Sequence, residues 1–265
     1  SKYRIALSIT NLGILALYQG DNEQAKKYLE ESLTKLKEIG NKKGMAHSIE
    51  NLGNVASNQG EYDQAKSYYE ESLDIRKEIG DKNGIAESIL SLGLIAFNLG
   101  CSEQAKKYFE ESLDIRKKIG DKYGIAESIN KLGSFTFNQG DYEQSKKYYE
   151  ESLCIFKGIG SKNGIANSLN YLGNVAYGLG DFGQAKKYYG DSLAIYKDIV
   201  DKNGIAHSIN NLGNAAFGLG DFGKAIKLLS SAEKLLESMG VVLNKNDQKI
   251  KDENIPYLPC WRKFA

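Results

Sequence analysis

Small and apolar residues recur along this chain with the spacing of amphipathic helices. In the segment 81–120, the residues that share one helical face are Ile85, Ala86, Ile89, Leu92, Gly93 and Ala96. After Gly100 a second apolar face follows, on Ala105, Tyr108, Phe109, Leu113 and Ile119. Because residues at these intervals meet on one side of a helix, the segment is predicted to form two helices joined at Gly100.

The two-helix pattern returns with a fixed period of 40 residues, and a glycine follows each first helix. These glycines are Gly20, Gly60, Gly100, Gly140, Gly180 and Gly220. The period defines six units, 1–40, 41–80, 81–120, 121–160, 161–200 and 201–240, and leaves a tail, 241–265. One helix pair cannot bury both of its faces, whereas stacked pairs can. We therefore predict an all-α solenoid of six helix-turn-helix units, followed by a partly extended cap.

Residues at the unit boundaries favour the same helix limits. The first helices are expected to begin after the N-caps Asn41, Asp81, Asp121, Ser161 and Asp201. Second helices are expected to begin after Asp21, Asp141, Asp181 and Asp221. Glycine at the end of the second helix suits a left-handed turn. Because Val200 takes this glycine's place in unit five, we expect its turn to differ.

Two columns of small residues are predicted to lie between helices. The glycine column is Gly13, Gly53, Gly93, Gly133, Gly173 and Gly213, and it would allow the two helices of a unit to approach closely. The serine column is Ser8, Ser48, Ser88, Ser128, Ser168 and Ser208, and tight contact between helices is expected there too.

The stretch "LGNVAYGLGDFGQAKKYY" at 172–189 joins Leu-Gly to Gly-Asp-aromatic, and then has alanine and an aromatic residue four positions later. This arrangement resembles the tetratricopeptide repeat (TPR), and the resemblance covers 1–240. TPR units usually have about 34 residues and a closing proline. The longer unit of this chain is similar to the repeats of Pins/LGN-type scaffolds and, less closely, of kinesin light chains. A HEAT-type solenoid also fits the period, but it does not require the Gly-Asp-aromatic turn.

The resemblance implies a right-handed superhelix whose first helices line a concave groove. Beside the packed face of these helices runs a surface that we call the asparagine stripe. Its residues, predicted to bind a peptide, are Asn51, Asn54, Asn58, Asn98, Asn130, Asn138, Asn170, Asn174, Asn210, Asn211 and Asn214. An asparagine amide can pair with a peptide N–H and C=O together. Since packed helices lie about 8–10 Å apart and a peptide advances about 3.3 Å per residue, each repeat can contact every third peptide residue.

Other side chains near the stripe are predicted to set specificity. They are His47, Glu87, Glu127, Lys131, Tyr171, His207, Leu90, Leu94 and Phe97. Leu90, Leu94 and Phe97 replace polar groups in unit three, and we expect an apolar pocket there. The alternative is that the asparagines bond to one another between repeats as a structural ladder, and the sequence leaves both hypotheses open.

Net charge, hydropathy and cysteine content restrict the expected partners and location of the protein. The formal net charge of +1 gives no bulk attraction to nucleic acid or anionic membrane, so neither is expected as a partner. No apolar run approaches the roughly 20 residues that span a bilayer. No signal or lipidation motif is visible. The three cysteines, Cys101, Cys154 and Cys260, are far apart, which indicates free thiols and a reducing, cytoplasmic location.

Catalytic and metal-binding patterns are not found in the sequence. His47 and His207 are the only histidines, and four repeats separate them, so they cannot share a centre. No Cys-x-x-Cys, phosphate-binding loop or nucleophile elbow occurs. Glu87 and Glu127 are better suited to meet a basic residue of a ligand than to acid/base catalysis. We therefore expect no enzyme activity, metal or cofactor.

The predicted function is a non-enzymatic scaffold for a protein or peptide in extended conformation. One alternative is a ligand-sensing regulatory domain, similar to bacterial peptide-receptor repeats. A second alternative is a structural, self-assembling array. In the tail, Tyr257, Leu258 and Trp261 are expected to pack on the last repeat or on a neighbouring chain, which would allow self-association.

Overall fold

The computed structural model describes residues 2–238, which contain twelve α-helices and no β-strand. The helices are α1 (Lys2–Tyr18), α2 (Asn22–Glu38), α3 (Lys42–Asn58), α4 (Tyr62–Ile79), α5 (Lys82–Asn98), α6 (Ser102–Ile119), α7 (Lys122–Asn138), α8 (Tyr142–Gly158), α9 (Lys162–Gly178), α10 (Phe182–Asp198), α11 (Lys202–Gly218) and α12 (Phe222–Ser238). The all-α class and the consecutive helix pairs are confirmed. The predictions for the tail 241–265, Cys260 included, lie outside the described residues.

The predicted N-caps are confirmed by their hydrogen bonds. The Asn41 side chain accepts a bond of 2.7 Å from the Gly44 N–H, and Asp21 accepts one of 3.0 Å from the Gln24 N–H. Equivalent bonds occur at Asp81, Asp121, Asp141, Ser161, Asp181, Asp201 and Asp221. Each bond satisfies one backbone donor that the first turn of a helix leaves without a partner.

The turn at Val200 differs from the expectation. Val200 has φ 58°, close to the 70° of Gly160 at the same place in the preceding unit. Its N–H donates to Lys197 O over 3.2 Å, as that of Gly160 does to Lys157 O. The expectation of a different turn is therefore wrong. The helix end imposes the left-handed turn even on a β-branched residue, for which this conformation is unfavourable.

Contacts between Cα atoms divide the described part of the chain into two compact units, with the boundary between residues 128 and 129. Within residues 2–128, which we call the N-terminal unit, helices pair as α1/α2, α3/α4 and α5/α6, with α2 against α3 and α4 against α5. Within residues 129–238, the C-terminal unit, α9/α10 and α11/α12 are pairs, with α8 against α9 and α10 against α11. Within each unit, consecutive helices therefore pack on one another.

The glycine column allows close approach within each pair, as predicted. A Cβ atom at Gly53 would lie 2.6 Å from the ring of Tyr69, and one at Gly173 would lie 2.4 Å from the ring of Tyr189. Leucine or aromatic side chains of the second helices occupy the same place beside Gly13, Gly93, Gly133 and Gly213. The missing side chain thus makes room for a large buried one.

The serine column is confirmed for five of its six members. Ser48, Ser88, Ser128, Ser168 and Ser208 are fully buried. Ser168 lies 3.0 Å from the hydroxyl of Ser152, and Ser128 lies 3.3 Å from that of Ser112, so serines of neighbouring helices meet in pairs. The expectation is wrong for Ser8, which is exposed on α1.

Candidate functional site

The residues of the asparagine stripe differ in their exposure to solvent. Four of its residues are buried: Asn51, Asn130, Asn170 and Asn214. Four are half-buried: Asn54, Asn174, Asn210 and Asn211. Three are exposed at the last residue of their helices: Asn58, Asn98 and Asn138. A ligand can therefore reach only part of the stripe directly.

Three of the four buried amides, those of Asn51, Asn130 and Asn170, form hydrogen bonds inside the protein. Asn130 accepts a hydrogen bond from the Ser152 hydroxyl and donates to Ser168 of the next repeat over 3.5 Å. Asn170 donates to Ser208 over 3.3 Å in the same way, while its Oδ1 is buried without a partner. These two asparagines therefore connect consecutive repeats through serines. Among the described residues, the bonds between repeats run from asparagine to serine, whereas the bond from Asn54 Nδ2 to Asn51 Oδ1, 3.4 Å long, lies within α3.

Two of the half-buried amides, Asn54 and Asn174, are oriented by tyrosines of the second helices. The Tyr69 hydroxyl donates to Asn54 Oδ1 over 2.7 Å, and the Tyr189 hydroxyl donates to Asn174 Oδ1 over 2.9 Å. Desolvation raises the pKa of both tyrosines, so both hydroxyls stay protonated at neutral pH. Because the oxygen of each amide faces a tyrosine, its NH₂ group is turned to the other side.

A buried arginine that the sequence analysis missed organises the N-terminal unit. Arg76 of α4 is 4% exposed and donates to both carboxylate oxygens of Glu50, over 3.0 and 2.7 Å. It also donates to Gly84 O over 2.6 Å and to the Ser88 hydroxyl over 3.0 Å, and it lies 3.3 Å from Glu87. The guanidinium therefore joins α3, α4 and α5, and Glu87 has an internal cation beside it.

A second arginine repeats this arrangement. Arg116 of α6 donates to Gly124 O over 2.7 Å and to Glu127 over 2.8 Å. The sequence carries a signal for both arginines, because the equivalent position holds the apolar or aromatic residues Leu36, Phe156 and Tyr196 in other units. Each of these five side chains packs on a glycine near the start of the next first helix. The pattern indicates that the equivalent position is buried in each of these units, and that arginine occupies it in two of them.

Three of the predicted specificity residues have pKa values that their surroundings shift. Desolvation and the charge of Glu50 raise the pKa of Glu87, although Arg76 opposes the shift. Desolvation lowers the pKa of His47, and the positive charge of Arg76 lowers it further. Desolvation also lowers the pKa of His207, against the opposing charge of Asp201. Both imidazoles are therefore neutral at pH 7.

The other predicted specificity residues are spread over several helices. In unit three, Leu90 is buried, whereas Leu94 and Phe97 are half-buried. Lys131 is half-buried on α7. Tyr171 stacks on the ring of Tyr149, with centroids 4.9 Å apart. The apolar pocket expected at unit three stays a prediction.

A cavity in the C-terminal unit brings part of the stripe together with aromatic rings. We call it the aromatic pocket; its volume is about 200 Å³, and its lining residues are Phe137, Tyr142, Asn174, Tyr177, Gly178, Tyr189, Asn211 and Asn214. The three asparagines belong to the predicted stripe. Tyr142 and Tyr189 come from second helices and were not predicted, because their position in the stack depends on tertiary packing.

Packing on glycine shapes the wall of this pocket. The Tyr142 ring lies against Gly178, where a Cβ atom would come within 3.1 Å of it. The ring centroids of Tyr142 and Phe137 are 5.2 Å apart and tilted by 56°, an attractive arrangement for aromatic rings. The glycine therefore lets one repeat's ring reach the next repeat and border the cavity.

Other kinds of site have no support among the described residues. Within residues 2–238, no group of three or more His, Cys, Asp or Glu side chains has a geometry that could hold a metal ion. None of the twelve helices is both long enough and apolar enough to cross a membrane. Cys101 and Cys154 are free and exposed.

Comparison with known proteins identifies the repeat. A family model described as "Tetratricopeptide repeat" matches residues 3–78, 44–118, 84–153, 124–198 and 164–238. A search of curated protein sequences gave no significant match.

Several solved structures share the fold. BtubC (BKLC) from P. vanneervenii is 20% identical with a TM-score of 0.68, and the match covers 84% of this chain and 94% of that one. A Rap protein complexed with competence and sporulation factor is 16% identical with a TM-score of 0.77, with coverage of 91% and 65%. The Rap conjugation gene regulator of plasmid pLS20, in complex with the Phr* peptide, is 16% identical with a TM-score of 0.74, with coverage of 88% and 63%. The chain thus spans slightly less than two thirds of these Rap proteins.

Proposed function

The chain belongs to the tetratricopeptide repeat family, and from this premise we propose that it is a non-enzymatic scaffold that binds an extended peptide or disordered segment along the first helices. The observation that carries the proposal is the aromatic pocket, in which stripe amides and aromatic rings line one cavity. Amides suit the polar backbone of a peptide, while rings suit its side chains. A surface that has both kinds of group can bind an uncharged peptide segment.

Hydrogen bonding supports an extended ligand. An extended peptide has backbone N–H and C=O groups that no internal structure satisfies, and these lose water on binding. The half-buried Asn174 and Asn211 lie on consecutive first helices, α9 and α11, and both line the aromatic pocket. Amides at this spacing can replace the lost water at intervals along the peptide.

The structural neighbours also support the proposal of a peptide ligand. The Rap regulator of plasmid pLS20 is described in complex with a peptide, and it shares the fold of this chain. At 16% identity the likeness concerns fold only, so a peptide partner for this chain is part of the proposal.

We test the proposal with peptides selected from a random displayed library on the purified protein and measured by fluorescence polarisation. Asn174→Ala and Asn211→Ala should each raise Kd by about tenfold, the loss of about one hydrogen bond on binding. The control is Lys186→Ala, on the exposed side of α10, which should leave Kd unchanged. Failure to select any binding peptide, or equal Kd values for all variants, would contradict the proposal.

A ligand-sensing regulatory domain is the second candidate, favoured by the description of one peptide-bound neighbour as a gene regulator. The two functions differ in their response to the ligand. Small-angle scattering with and without a selected peptide should show compaction for a sensor and an unchanged radius of gyration for a scaffold.

The finer predictions belong to this proposal as well. They are a cytoplasmic location, no nucleic-acid partner, and likeness of the long repeat to Pins/LGN-type scaffolds in particular. The specificity roles of Lys131, Tyr171 and the charged residues are also proposals. Self-association through Tyr257, Leu258 and Trp261 concerns residues outside the described part.

A further inference from the structure

We infer that the aromatic pocket receives one tyrosine side chain of the bound peptide; the inference rests on the proposed peptide-binding function and names the residue that the peptide must carry. The pocket is formed by residues from five successive helices, α7 to α11, and all eight of these residues belong to the C-terminal unit. Its size, its walls and its polar groups each restrict the side chain that it can bind.

The size fits a single aromatic ring. The pocket has a volume of about 200 Å³, and an apolar cavity of about 150 Å³ is large enough to bind benzene. A six-membered ring with one substituent therefore fills it, whereas a small aliphatic side chain leaves part of the walls without contact. Unfilled space of this kind lowers affinity because the lining loses van der Waals contacts.

The walls also favour a ring. Phe137 and Tyr142 line the pocket with their rings tilted by 56° to each other, and Tyr177 lines it from the next first helix. Tyr177 itself meets Phe182 edge-on, with centroids 5.2 Å apart, so its ring is held in place. Fixed rings at several angles allow offset and edge-to-face contacts with a guest ring.

The polar groups distinguish tyrosine from phenylalanine. Asn174 Oδ1 accepts from the Tyr189 hydroxyl, which turns the NH₂ group of this amide away from Tyr189. Asn211 and the 8% exposed Asn214 add two more amides to the lining. A bound tyrosine hydroxyl can accept from one amide and donate to another, whereas phenylalanine leaves desolvated amides without partners.

The lack of charged residues in the lining excludes charged side chains of the ligand. None of the eight residues that line the pocket is Asp, Glu, Lys or Arg. A charged side chain that enters would lose water without an opposite charge to compensate for it. The pocket therefore selects a neutral ring with a hydroxyl group.

The first experiment uses amino-acid amides as probes on ¹⁵N-labelled protein of the full chain. N-acetyl-tyrosinamide should cause saturable NMR shifts of the side-chain amides of Asn174, Asn211 and Asn214. Binding should weaken in the order tyrosine, phenylalanine, leucine, with about tenfold between the first and the last. Leucinamide binding as tight as tyrosinamide binding, or shifts confined to other helices, would overturn the inference.

Variants give a matched control. Asn174→Ala and Asn167→Ala each remove the acceptor of a buried tyrosine hydroxyl, Tyr189 and Tyr196 respectively, but only Asn174 lines the pocket. Tyrosinamide binding should weaken about tenfold in Asn174→Ala and stay unchanged in Asn167→Ala. Asn211→Leu, which replaces a lining amide with a larger apolar side chain at a half-buried position, should weaken it at least about tenfold even if Asn174→Ala fails to fold. Full binding by Asn211→Leu would overturn the inference.

A peptide experiment separates this inference from the proposed function. A selected peptide and its Tyr→Leu counterpart are compared by fluorescence polarisation, and the replacement should weaken binding about tenfold. Peptides that bind without an aromatic residue, or that tolerate its replacement, would overturn the inference and leave the proposed function intact. If no peptide binds at all, the proposed function fails and this inference fails with it.

Discussion

The Asn174 side chain receives a hydrogen bond from the Tyr189 hydroxyl while the same amide borders the aromatic pocket. Asn130, at another stripe position, is buried and bonded to serines on two other helices. Asparagine is a mediocre helix former, so each asparagine in these helices lowers helix stability, and other interactions have to compensate for that loss. At the residue scale, the surroundings of each amide decide whether it only bonds within the fold, as Asn130 does, or also borders the pocket, as Asn174 does.

Val200 provides a test of backbone strain at one residue. The left-handed turn is unfavourable for a β-branched side chain, and Val200 is 73% exposed, so its packing offers little compensation. Val200→Gly should increase the free energy of unfolding by about 1 kcal/mol in urea denaturation. The reciprocal change, Gly160→Val in the equivalent turn, should decrease it by a similar amount. A less stable Val200→Gly protein would show that Val200 is not strained.

The two histidines predict a dependence of stability on pH. Folding lowers the pKa of His47 and His207 from the ordinary value of 6.5, so the unfolded chain binds more protons as the pH falls through that value. Their contribution to stability is therefore complete above pH 6.5 and decreases below it. The double variant His47→Gln/His207→Gln should lose less stability than the wild type between pH 7.5 and about 5.5. Parallel pH profiles from urea denaturation would contradict this prediction.

At the element scale, each first helix lies close to its second helix because a glycine faces a large side chain. This glycine column and the N-caps could be predicted from the sequence, since both rest on local rules of helix formation. The Tyr189 hydroxyl bond and the Arg76 cluster could not be predicted in the same way. Arg76 stands in the charged stretch "DIRKEIG", where an arginine on a solvated face has the same sequence pattern as a buried one.

Gly173 and Gly190 form a matched pair for testing the helix contact. A Cβ atom at Gly173 would lie 2.4 Å from the Tyr189 ring, whereas a Cβ at Gly190 of α10 would meet no atom within 4 Å. Gly173→Ala should destabilise the protein by about 1–3 kcal/mol through overpacking. Gly190→Ala should stabilise it by about 0.4–1 kcal/mol, because the unfolded chain loses freedom. Equal effects in urea denaturation would contradict the proposed role of the glycine column.

At the scale of the whole molecule, the repeat period and the Gly-Asp-aromatic turn led to the family, and the family model confirms it over residues 3–238. The aromatic pocket was less accessible to prediction. Its asparagines share a helical stripe and could be grouped from the sequence, but Tyr142 reaches the pocket only because Gly178 of the next repeat leaves space for its ring. That relation depends on how repeats stack, which period alone does not specify.

The central claim is that a peptide binds along the first helices at the aromatic pocket. It is tested most directly by cross-linking, with a selected peptide that carries a photoreactive group at its aromatic position. Mass spectrometry then identifies the attached residues. The account predicts cross-links to α9 and α11, in the neighbourhood of Tyr177 and Asn211, and their loss in Asn211→Leu. Cross-links to the exposed faces of α8, α10 and α12, unaffected by Asn211→Leu, would contradict it.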